Sequence, residues 1–417
     1  MRNLRAGVIC AALLGAWLAG PAFAQALNTS EAEDEAQMAA PEMGTQDGLR
    51  AWLRDFAPRA LEAGIDTATL ERATRTLRFD PKIIERDRNQ NEFTKTIWDY
   101  LDTATSEQRV ENGKAAMATQ ADLLARIEAT YGVDRHVVAA IWGLESAYGT
   151  FRGRNDTIEA LATLAYDGRR AAFFETQLIA ALRILQNGDV SQSAMQGSWA
   201  GAMGHTQFMP TSWWDYAVDF DGDGKRNIWG DDPADALAST AAYLAQFGWT
   251  RGALWGLEVQ LPEGFDYEQT TERVKKPVAD WAALGVKPAA GGALPDHGLA
   301  SVLLPGGARG AAFLIFSNFQ VIEKYNTADA YVIAVGHLAD RLRGGPPIAA
   351  NWPRELRALS LEERRELQHR LGAAGFDPKG VDGRIGPNTI AAVKAYQKAN
   401  ALVPDGYASL EILERLR

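Results

Sequence analysis

The sequence places one carboxylate in an unusual setting, Glu145 within Ile141-Trp-Gly-Leu-Glu-Ser-Ala-Tyr-Gly149. Val137, Ile141 and Glu145 recur at helical spacing, so Glu145 lies on the apolar stripe of a predicted helix. Burial and the negative end of the helix dipole both raise the pKa of a carboxyl group placed there. A carboxylic acid that stays protonated near neutral pH can act as a general acid. The same pattern also fits a glutamate in a buried ion pair.

A second segment, Gly197–Trp213, favours the interpretation of Glu145 as a general acid over that of a glutamate in a buried ion pair. It reads Gly-Ser-Trp-Ala-Gly-Ala-Met-Gly-His-Thr-Gln-Phe-Met-Pro-Thr-Ser-Trp and combines Ser198, His205, Thr206 and Gln207 with small residues and aromatics. Glycines let a ligand approach the backbone, aromatic rings stack on sugars, and polar side chains hydrogen-bond hydroxyl and acetamide groups. The composition therefore indicates a carbohydrate-binding groove.

An acidic loop further along the chain alternates its carboxylates as an EF-hand calcium loop does. Positions one, three and five are carboxylates, position six is a glycine that permits a sharp turn, and position seven offers a backbone carbonyl. These positions are Asp219, Asp221, Asp223, Gly224 and Lys225.

The acidic loop departs from an ordinary EF-hand at position twelve, where Gly230 replaces the bidentate glutamate. Asp235 follows and could close an enlarged loop as a further ligand. We therefore predict a structural Ca²⁺ site that takes no part in catalysis. A solvated acidic turn without a metal is the alternative.

The two long motifs resemble those of the lytic murein transglycosylase B family, glycoside hydrolase family 103. Its Glu-Ser-(aromatic)-Gly and Gly-Ala-Met-Gly-x-x-Gln-Phe-Met-Pro motifs match nearly residue for residue, and the resemblance spans roughly residues 49–345. It implies a mainly α (α+β) chain with a lysozyme-like helical catalytic domain, a small β-containing insertion and an EF-hand-like calcium loop of this unusual type.

The resemblance also implies roles for residues around Glu145. Ser198 and Gln207 match positions that contact the acetamide and the glycan. His205 stands where the family often has an aromatic residue, which leaves its contact open.

Two further pairs are implied as substrate-binding residues. Asn326 and Tyr331 match a Tyr-Asn-x-x-x-x-Tyr segment that closes the cleft from its C-terminal side. Arg169 and Arg170 match a basic pair that meets the peptide stem or the lactyl carboxylate. An ordinary helix cap for Asn326 and plain surface charge for the arginines are the alternatives.

Glycosidases ordinarily use two carboxylates, and neither long motif supplies a second one beside Glu145. The resemblance implies that Glu145 protonates the bond between MurNAc and GlcNAc and that the sugar's own C6 hydroxyl attacks C1. The product would be a 1,6-anhydro-muropeptide, formed without water and without a catalytic cofactor. A hydrolytic muramidase and a non-catalytic cell-wall binding protein are the alternative functions.

Residues 1–24 are typical of a secretory signal, with Arg2 and Arg5 before an apolar run and Ala22-Phe-Ala24 at its end. Cys10 is the only cysteine and lies inside the apolar run, so we predict neither a disulfide nor a lipid anchor. The predicted product is periplasmic, without a membrane span once the signal is removed. Its formal net charge of −10 argues against nucleic acid as a partner.

Composition divides the rest of the 417 residues. Residues 25–48 form an acidic, Ala-rich leader without periodicity, and 49–345 hold the catalytic domain, whose β-containing insertion is Glu258–Ala311. Arg343-Gly-Gly-Pro-Pro347 is typical of a flexible linker, which we place at residues 346–358.

The C-terminal segment, residues 359–417, has helical periodicity of its own. Its Asp382–Thr389 turn and the weaker Pro404-Asp-Gly406 turn resemble those of the three-helix peptidoglycan-binding module. The predicted partners are therefore peptidoglycan glycan strands, while nothing in the sequence identifies a protein partner.

Overall fold

The computed structural model describes residues 44–88 and 95–417. In chain order the helices are α1 (Gln46–Glu62), α2 (Thr67–Thr74), α3 (Pro81–Arg88), α4 (Ile97–Ala104), α5 (Glu107–Thr119), α6 (Ala121–Tyr131), α7 (Arg135–Ser146), α8 (Thr157–Asp167), α9 (Ala171–Asn187), α10 (Pro210–Tyr216), α11 (Ala234–Gln246), α12 (Val278–Ala283), α13 (Ser317–Glu323), α14 (Asp329–Leu342), α15 (Leu361–Ala373), α16 (Pro387–Ala399) and α17 (Leu410–Leu416). The strands are β1 (Asn155–Asp156), β2 (Gln196–Gly197), β3 (Gly256–Gln260), β4 (Lys276–Pro277), β5 (Lys287–Pro288), β6 (Leu299–Leu303) and β7 (Ala312–Ile315).

The described residues form two compact units. The first unit comprises 44–88, Glu111–Trp249 and Ile322–Ala328, and the second comprises 95–110, Thr250–Val321 and Asp329–Arg417. The mainly helical fold with a small β-containing insertion is confirmed.

Helices α7 and α8 form the interior of the first unit. Ten successive residues of α7, 137–146, are buried, and α8 packs against α9, α3 and α1. The helix that carries Glu145 is therefore buried on all of its faces along this stretch, and not on one stripe alone as its periodicity predicts. Strands β1 and β2 pair in antiparallel register, Asn155 opposite Gly197, which brings the chain after α7 onto the second motif.

Local sequence signals set the helix ends of this unit. The sequence favours Asp66 and Asp134 as N-caps, and their side chains accept hydrogen bonds from Thr69 N and His136 N. Asn187-Gly188 predicts a helix end, and α9 ends at Asn187 with Gly188 in a left-handed conformation, φ 83°.

Helix α1 begins earlier than the sequence predicts. Thr45 is its N-cap and accepts from Gly48 N, so Gln46–Gly48 are helical although we placed them in the leader. The predicted signal and residues 25–43 of the leader lie outside the described residues. None of the helices described is both long and apolar enough to cross a membrane.

The predicted β-containing insertion is confirmed as a five-stranded sheet in the second unit. The strand order is β4-β6-β7-β3-β5, and each neighbouring pair is antiparallel. Trp281, Val302 and Leu314 lie fully buried against one face of the sheet. Two short apolar runs in the sequence, Leu257–Leu261 and Ala300–Leu304, overlap β3 and β6.

The predicted three-helix module is confirmed in α15, α16 and α17, which share a small apolar core around Leu367, Leu371 and Val393. Ser360 and Glu363 form a capping box at the start of α15. Asp382 shapes its turn by accepting from Arg384 N at 2.8 Å.

The segment predicted as a flexible linker contacts the sheet instead. The Glu258 carboxylate accepts N–H groups from Ala349 and Ala350 at 2.8 and 2.7 Å. The Trp352 ring packs against Trp98, with centroids 6.0 Å apart. The Gly-Gly-Pro-Pro composition by itself predicts a tether. Composition does not reveal the contacts of this segment, because its partners Glu258 and Trp98 are distant in sequence.

The module also contacts the sheet domain directly. Lys394 is only 7% exposed, and its ammonium group donates to Tyr267 O, Thr270 O and Thr270 Oγ1 at 2.7 to 2.9 Å. Burial lowers the pKa of Lys394. Asp405 Oδ2 accepts from Ala308 N at 2.8 Å. These contacts make the module and the sheet one unit.

We predict that Lys394→Met loosens the module, because three buried acceptors lose their donor at a cost of about 1–3 kcal/mol. Cleavage of the 346–358 segment in limited proteolysis should accelerate by roughly 5- to 100-fold. Lys398→Met is the matched control, since its ion pair with Glu268 is exposed and should contribute little. Equal cleavage rates for both variants and the wild type would show that Lys394 does not hold the module.

Candidate functional site

Glu145 lies in the last turn of α7 and is 1% exposed. Immediately after the helix, Ala147, Tyr148 and Gly149 all have positive φ, of 48°, 59° and 84°. Left-handed backbone in non-glycine residues costs roughly 1–3 kcal/mol each and persists only where surrounding contacts hold it. The chain around the candidate acid is thus a strained turn.

Ser146 fastens this turn to the second motif. Its hydroxyl donates to His205 O at 2.6 Å and accepts from Gly149 N at 2.9 Å. Ser146 is not among the site residues that the sequence predicts. Its place directly after Glu145 in the first motif is the sequence feature that indicates such a role.

His205 is 3% exposed and lies against the same turn. Its Nδ1 is 3.1 Å from Trp142 Nε1, and its Nε2 is 2.8 Å from Gly230 O. Burial lowers the pKa of His205 to about 4, so the imidazole is neutral at neutral pH. Its contact, left open by the sequence, is therefore with the protein interior.

Ser198 and Gln207 are both buried within the second motif. Ser198 Oγ accepts from Ala202 N at 3.0 Å, and Gln207 Nε2 donates to Gly204 O at 2.8 Å and to Arg152 O at 3.1 Å. The amide of Gln207 thus ties the second motif to the chain after α7. Contact of either side chain with substrate stays a prediction.

A close backbone approach at Gly153 completes the junction of the two motifs. A Cβ added there would lie 2.1 Å from the carbonyl of Gly197, and φ at Gly153 is 88°. Only glycine fits this position.

A cavity of about 330 Å³ opens beside the strained turn. Its lining includes Trp142, Tyr148, Arg152, His205 and Asp231. Arg152 donates to Asp231 at 2.9 Å, to Trp229 O at 3.0 Å, and to Gly230 O. Of the second-motif residues that predict a carbohydrate groove, His205 lines this cavity, whereas Ser198 and Gln207 do not.

Tyr325 and Asn326 bring the segment after α13 onto the second motif. Tyr325 is fully buried, and its hydroxyl donates to Thr206 O at 2.6 Å. Asn326 is also buried, and its Oδ1 accepts from Ala328 N at 3.0 Å in an Asx turn just before α14. Tyr331 lies buried on α14 in the second unit. Substrate contacts of Asn326 and Tyr331 stay predictions.

Arg169 and Arg170 share one buried carboxylate, that of Asp87. Arg169 Nε and Arg170 Nη2 donate to its two oxygens at 2.6 and 2.7 Å. Arg170 also lies over the Phe174 ring at 4.8 Å. Neither arginine is simple surface charge, and the ion pairs give both a structural role. Because two arginines share one carboxylate, the group keeps a net positive charge, which suits the predicted peptide-stem or lactyl carboxylate.

The predicted calcium loop brings three of its acidic side chains together. Carboxylate oxygens of Asp219, Asp221 and Asp223 lie within 4.8 Å of one another, and all three side chains are exposed. Asp219 accepts from Gly222 N at 2.8 Å and Gly224 N at 2.9 Å. Gly222 and Gly224 have φ of 82° and 87°, so the expected sharp turn is present. Three hard oxygen donors at this spacing fit a Ca²⁺ ion.

Lys225 and Asp235 differ in their placement. Lys225 N donates to Asp223 Oδ1 at 2.8 Å, and its carbonyl stays a predicted ligand. Asp235 is buried in the first turn of α11 and does not belong to the group of three. Its two oxygens accept from Phe220 N and Asn227 N at 2.7 and 2.8 Å. Asp235 thus contacts the backbone at both ends of the loop, and its role as a metal ligand stays a prediction.

The fold and the buried acid define a lysozyme-like helical domain joined to a sheet and a three-helix module. Sequence comparison matches residues 48–340 to the family "Transglycosylase SLT domain" and residues 360–416 to "Putative peptidoglycan binding domain". The first match covers more than half of the chain. The chain therefore belongs to the SLT transglycosylase family and carries a C-terminal peptidoglycan-binding domain.

Named relatives agree with this family. The chain is 35% identical over 246 residues to membrane-bound lytic murein transglycosylase B of Escherichia coli (strain K12), across 57% of this chain and 65% of that protein. SltB3 from Pseudomonas aeruginosa, solved in complex with NAG-NAM-pentapeptide, is 50% identical with a TM-score of 0.86, across 88% of this chain and 99% of that one. The Escherichia coli lytic transglycosylase Slt35 in complex with calcium is 29% identical with a TM-score of 0.59, across 72% and 95%.

The buried imidazole of His205 predicts a pH-dependent stability. Its pKa in the folded state lies below the ordinary 6.5, at about 4, so the unfolded chain binds more protons between these values. The contribution of His205 is complete above pH 6.5 and is lost as the pH falls toward 4. The unfolding free energy of the wild type should therefore fall more steeply than that of His205→Gln, by up to about 1.4 kcal/mol per pH unit.

Denaturant titrations of both proteins at several pH values measure this difference. His337, whose pKa is also lowered to about 4, and Asp329, whose pKa is raised to about 7, stay in both proteins and cancel in the comparison. Parallel stability curves would contradict the prediction.

Proposed function

We propose that the protein is a peptidoglycan lytic transglycosylase that cleaves the MurNAc-β-1,4-GlcNAc bond without water and releases 1,6-anhydro-MurNAc products. The observation that carries this proposal is the buried Glu145, locked between the two motifs in a chain of this family. The Pseudomonas aeruginosa neighbour was also solved with NAG-anhNAM-pentapeptide, an anhydro ligand.

One acid suffices for this reaction. Glu145 donates its proton to the glycosidic oxygen as the C1–O bond breaks, and the MurNAc acetamide helps stabilise the cationic centre. The C6 hydroxyl then bonds to C1 and passes its proton back to Glu145, so acid and base balance within one turnover. An intramolecular hydroxyl has a large effective concentration over water. The side chains that hold the turn, Ser146, His205 and Gln207, are all neutral.

We predict that Glu145→Gln lowers turnover by at least about 10²–10⁴-fold, because the amide can neither deliver nor reclaim a proton. Glu145→Gln keeps the shape of the side chain, so the melting temperature should stay near that of the wild type. Glu159→Gln, on α8, is a matched control that should keep its activity. Mass spectrometry of digested glycan distinguishes the products. Anhydro-MurNAc ends support the proposal, whereas reducing MurNAc ends would identify a hydrolytic muramidase.

We also propose that the Asp219–Asp223 loop binds a structural Ca²⁺ ion. The three clustered carboxylates support this, as does the calcium complex of Slt35. Asp219, Asp221 and Asp223 would hold the ion with the carbonyl of Lys225, while Asp235 keeps the ends of the loop in place. The metal neutralises carboxylates that repel one another and supplies no step of the reaction.

Calcium should therefore raise the melting temperature of the wild type. At a concentration about 100-fold above Kd, linkage gives about 2.7 kcal/mol, which corresponds to a shift of roughly 5–10 °C for a domain of this size. The double variant Asp221→Ala, Asp223→Ala should lose the shift and retain turnover at low temperature. Asp55→Ala, which removes an exposed carboxylate on α1, should keep the shift. Identical wild-type melting curves with calcium and with chelator would exclude the metal.

The proposed site of action is the periplasm, with peptidoglycan strands as the partner. The signal-like residues 1–24 support export, and the C-terminal domain supports attachment to the cell wall. The acidic composition and the position of Cys10 support a product that is neither nucleic-acid-binding nor lipid-anchored.

A further inference from the structure

His205 contacts the catalytic helix on both sides of Glu145. Its ring Nδ1 lies 3.1 Å from the indole nitrogen of Trp142, one helical turn before the acid. Its carbonyl accepts the hydroxyl of Ser146, directly after the acid, at 2.6 Å. A Cβ at Gly149 would lie 2.6 Å from the imidazole, so the ring also fits closely against the strained turn.

The other edge of the imidazole is held by the segment that follows the acidic loop. His205 Nε2 lies 2.8 Å from Gly230 O, and His205 N donates to Ile228 O at 3.1 Å. Asn227 Oδ1 fixes this segment by accepting from Trp229 N and Gly230 N at 3.1 and 3.0 Å.

These contacts determine the tautomer. An indole nitrogen can only donate, so Trp142 requires Nδ1 of His205 to be the acceptor. The proton then lies on Nε2, where Gly230 O accepts it. Arg152 Nη1 also lies 3.2 Å from Nε2, but its two hydrogens are used by Trp229 O and Gly230 O. A neutral imidazole with Nε2 protonated therefore satisfies both Trp142 and Gly230.

We propose that His205 is a positioning residue for Glu145, acting through Trp142 and the last turn of α7. Its imidazole sets the spacing between that turn and the 227–230 segment, so that the carboxyl group faces the glycosidic oxygen. The inference rests on the proposed function, because it concerns the orientation of the proposed acid.

The strained backbone explains why an external contact is needed. Ala147 and Tyr148 hold left-handed conformations, and a released turn would relax away from them. A displacement of the acid by about 1 Å can cost about 100-fold in rate. The loss should therefore appear in kcat, while binding of the remaining sugars keeps KM unchanged.

Two isosteric variants separate the two ring nitrogens. His205→Asn places an amide oxygen near the position of Nδ1 and can still accept from Trp142. His205→Gln places an amide nitrogen near the position of Nε2 and can still donate to Gly230 O, but it offers Trp142 no acceptor. We expect His205→Gln to lower kcat at least about tenfold with KM within about twofold, and His205→Asn to recover most of that loss.

The readout is the release of anhydro product from a soluble glycan fragment, per folded molecule, with melting temperatures measured in parallel. His337→Gln is the matched control, since His337 is also a buried histidine of lowered pKa but lies on α14. It should lower stability without lowering kcat. Trp142→Phe should reproduce the kcat loss of His205→Gln, and the double variant should lose no more than either single one.

Equal kcat values for His205→Asn and His205→Gln would overturn the positioning role. An unchanged kcat in Trp142→Phe would overturn it independently, even if a His205 variant failed to fold. A wild-type protein that releases no cleaved glycan would overturn the proposed function and this inference with it.

Discussion

The position of the candidate acid depends on the hydrogen bond between the Ser146 hydroxyl and the carbonyl of His205. Helix α7 ends in a turn whose left-handed residues are unfavourable by themselves. Contacts from the second motif must therefore hold it, and the β1–β2 pair and the close approach of Gly153 to Gly197 bring that motif within reach. The two motifs, about fifty residues apart, thus meet at one site because contacts from the second motif hold the strained turn of the first.

Burial separates the acid from the clustered carboxylates of the acidic loop. A buried carboxyl group can stay protonated in apolar surroundings, and Glu145 is 1% exposed on a helix whose residues 137–146 are all buried. The clustered carboxylates stand elsewhere, exposed on the Asp219–Asp223 loop, where a divalent cation can neutralise them. In the proposed function, the same carboxylate chemistry therefore serves proton transfer at Glu145 and metal binding in the acidic loop.

The sequence predicted the features that depend on near neighbours. The N-cap Asp134, the Gly188 helix end and the turn at Gly224 follow from interactions within a few residues, and all three are present. The ion pairs of Arg169 and Arg170 could not be predicted in this way, because their partner Asp87 lies more than eighty residues earlier. The backbone contacts of Asp235 were not predictable for a related reason. Carboxylate spacing indicates a metal ligand, whereas the N–H groups from which this carboxylate accepts depend on how the loop folds next to α11.

The peptidoglycan-binding module shows how one repeated turn acquires two roles. At Asp382 the carboxylate contacts Arg384 N and Gln368, both within the module. At Asp405 one oxygen accepts from Gln397 within the module, while the other accepts from Ala308 in the sheet domain. The second turn therefore binds the sheet domain through Asp405. Lys394 adds three hydrogen bonds to that domain. A glycan bound to this module is held at a fixed position relative to the sheet, because the contacts of Lys394 and Asp405 would have to break before the module could move as if on a tether.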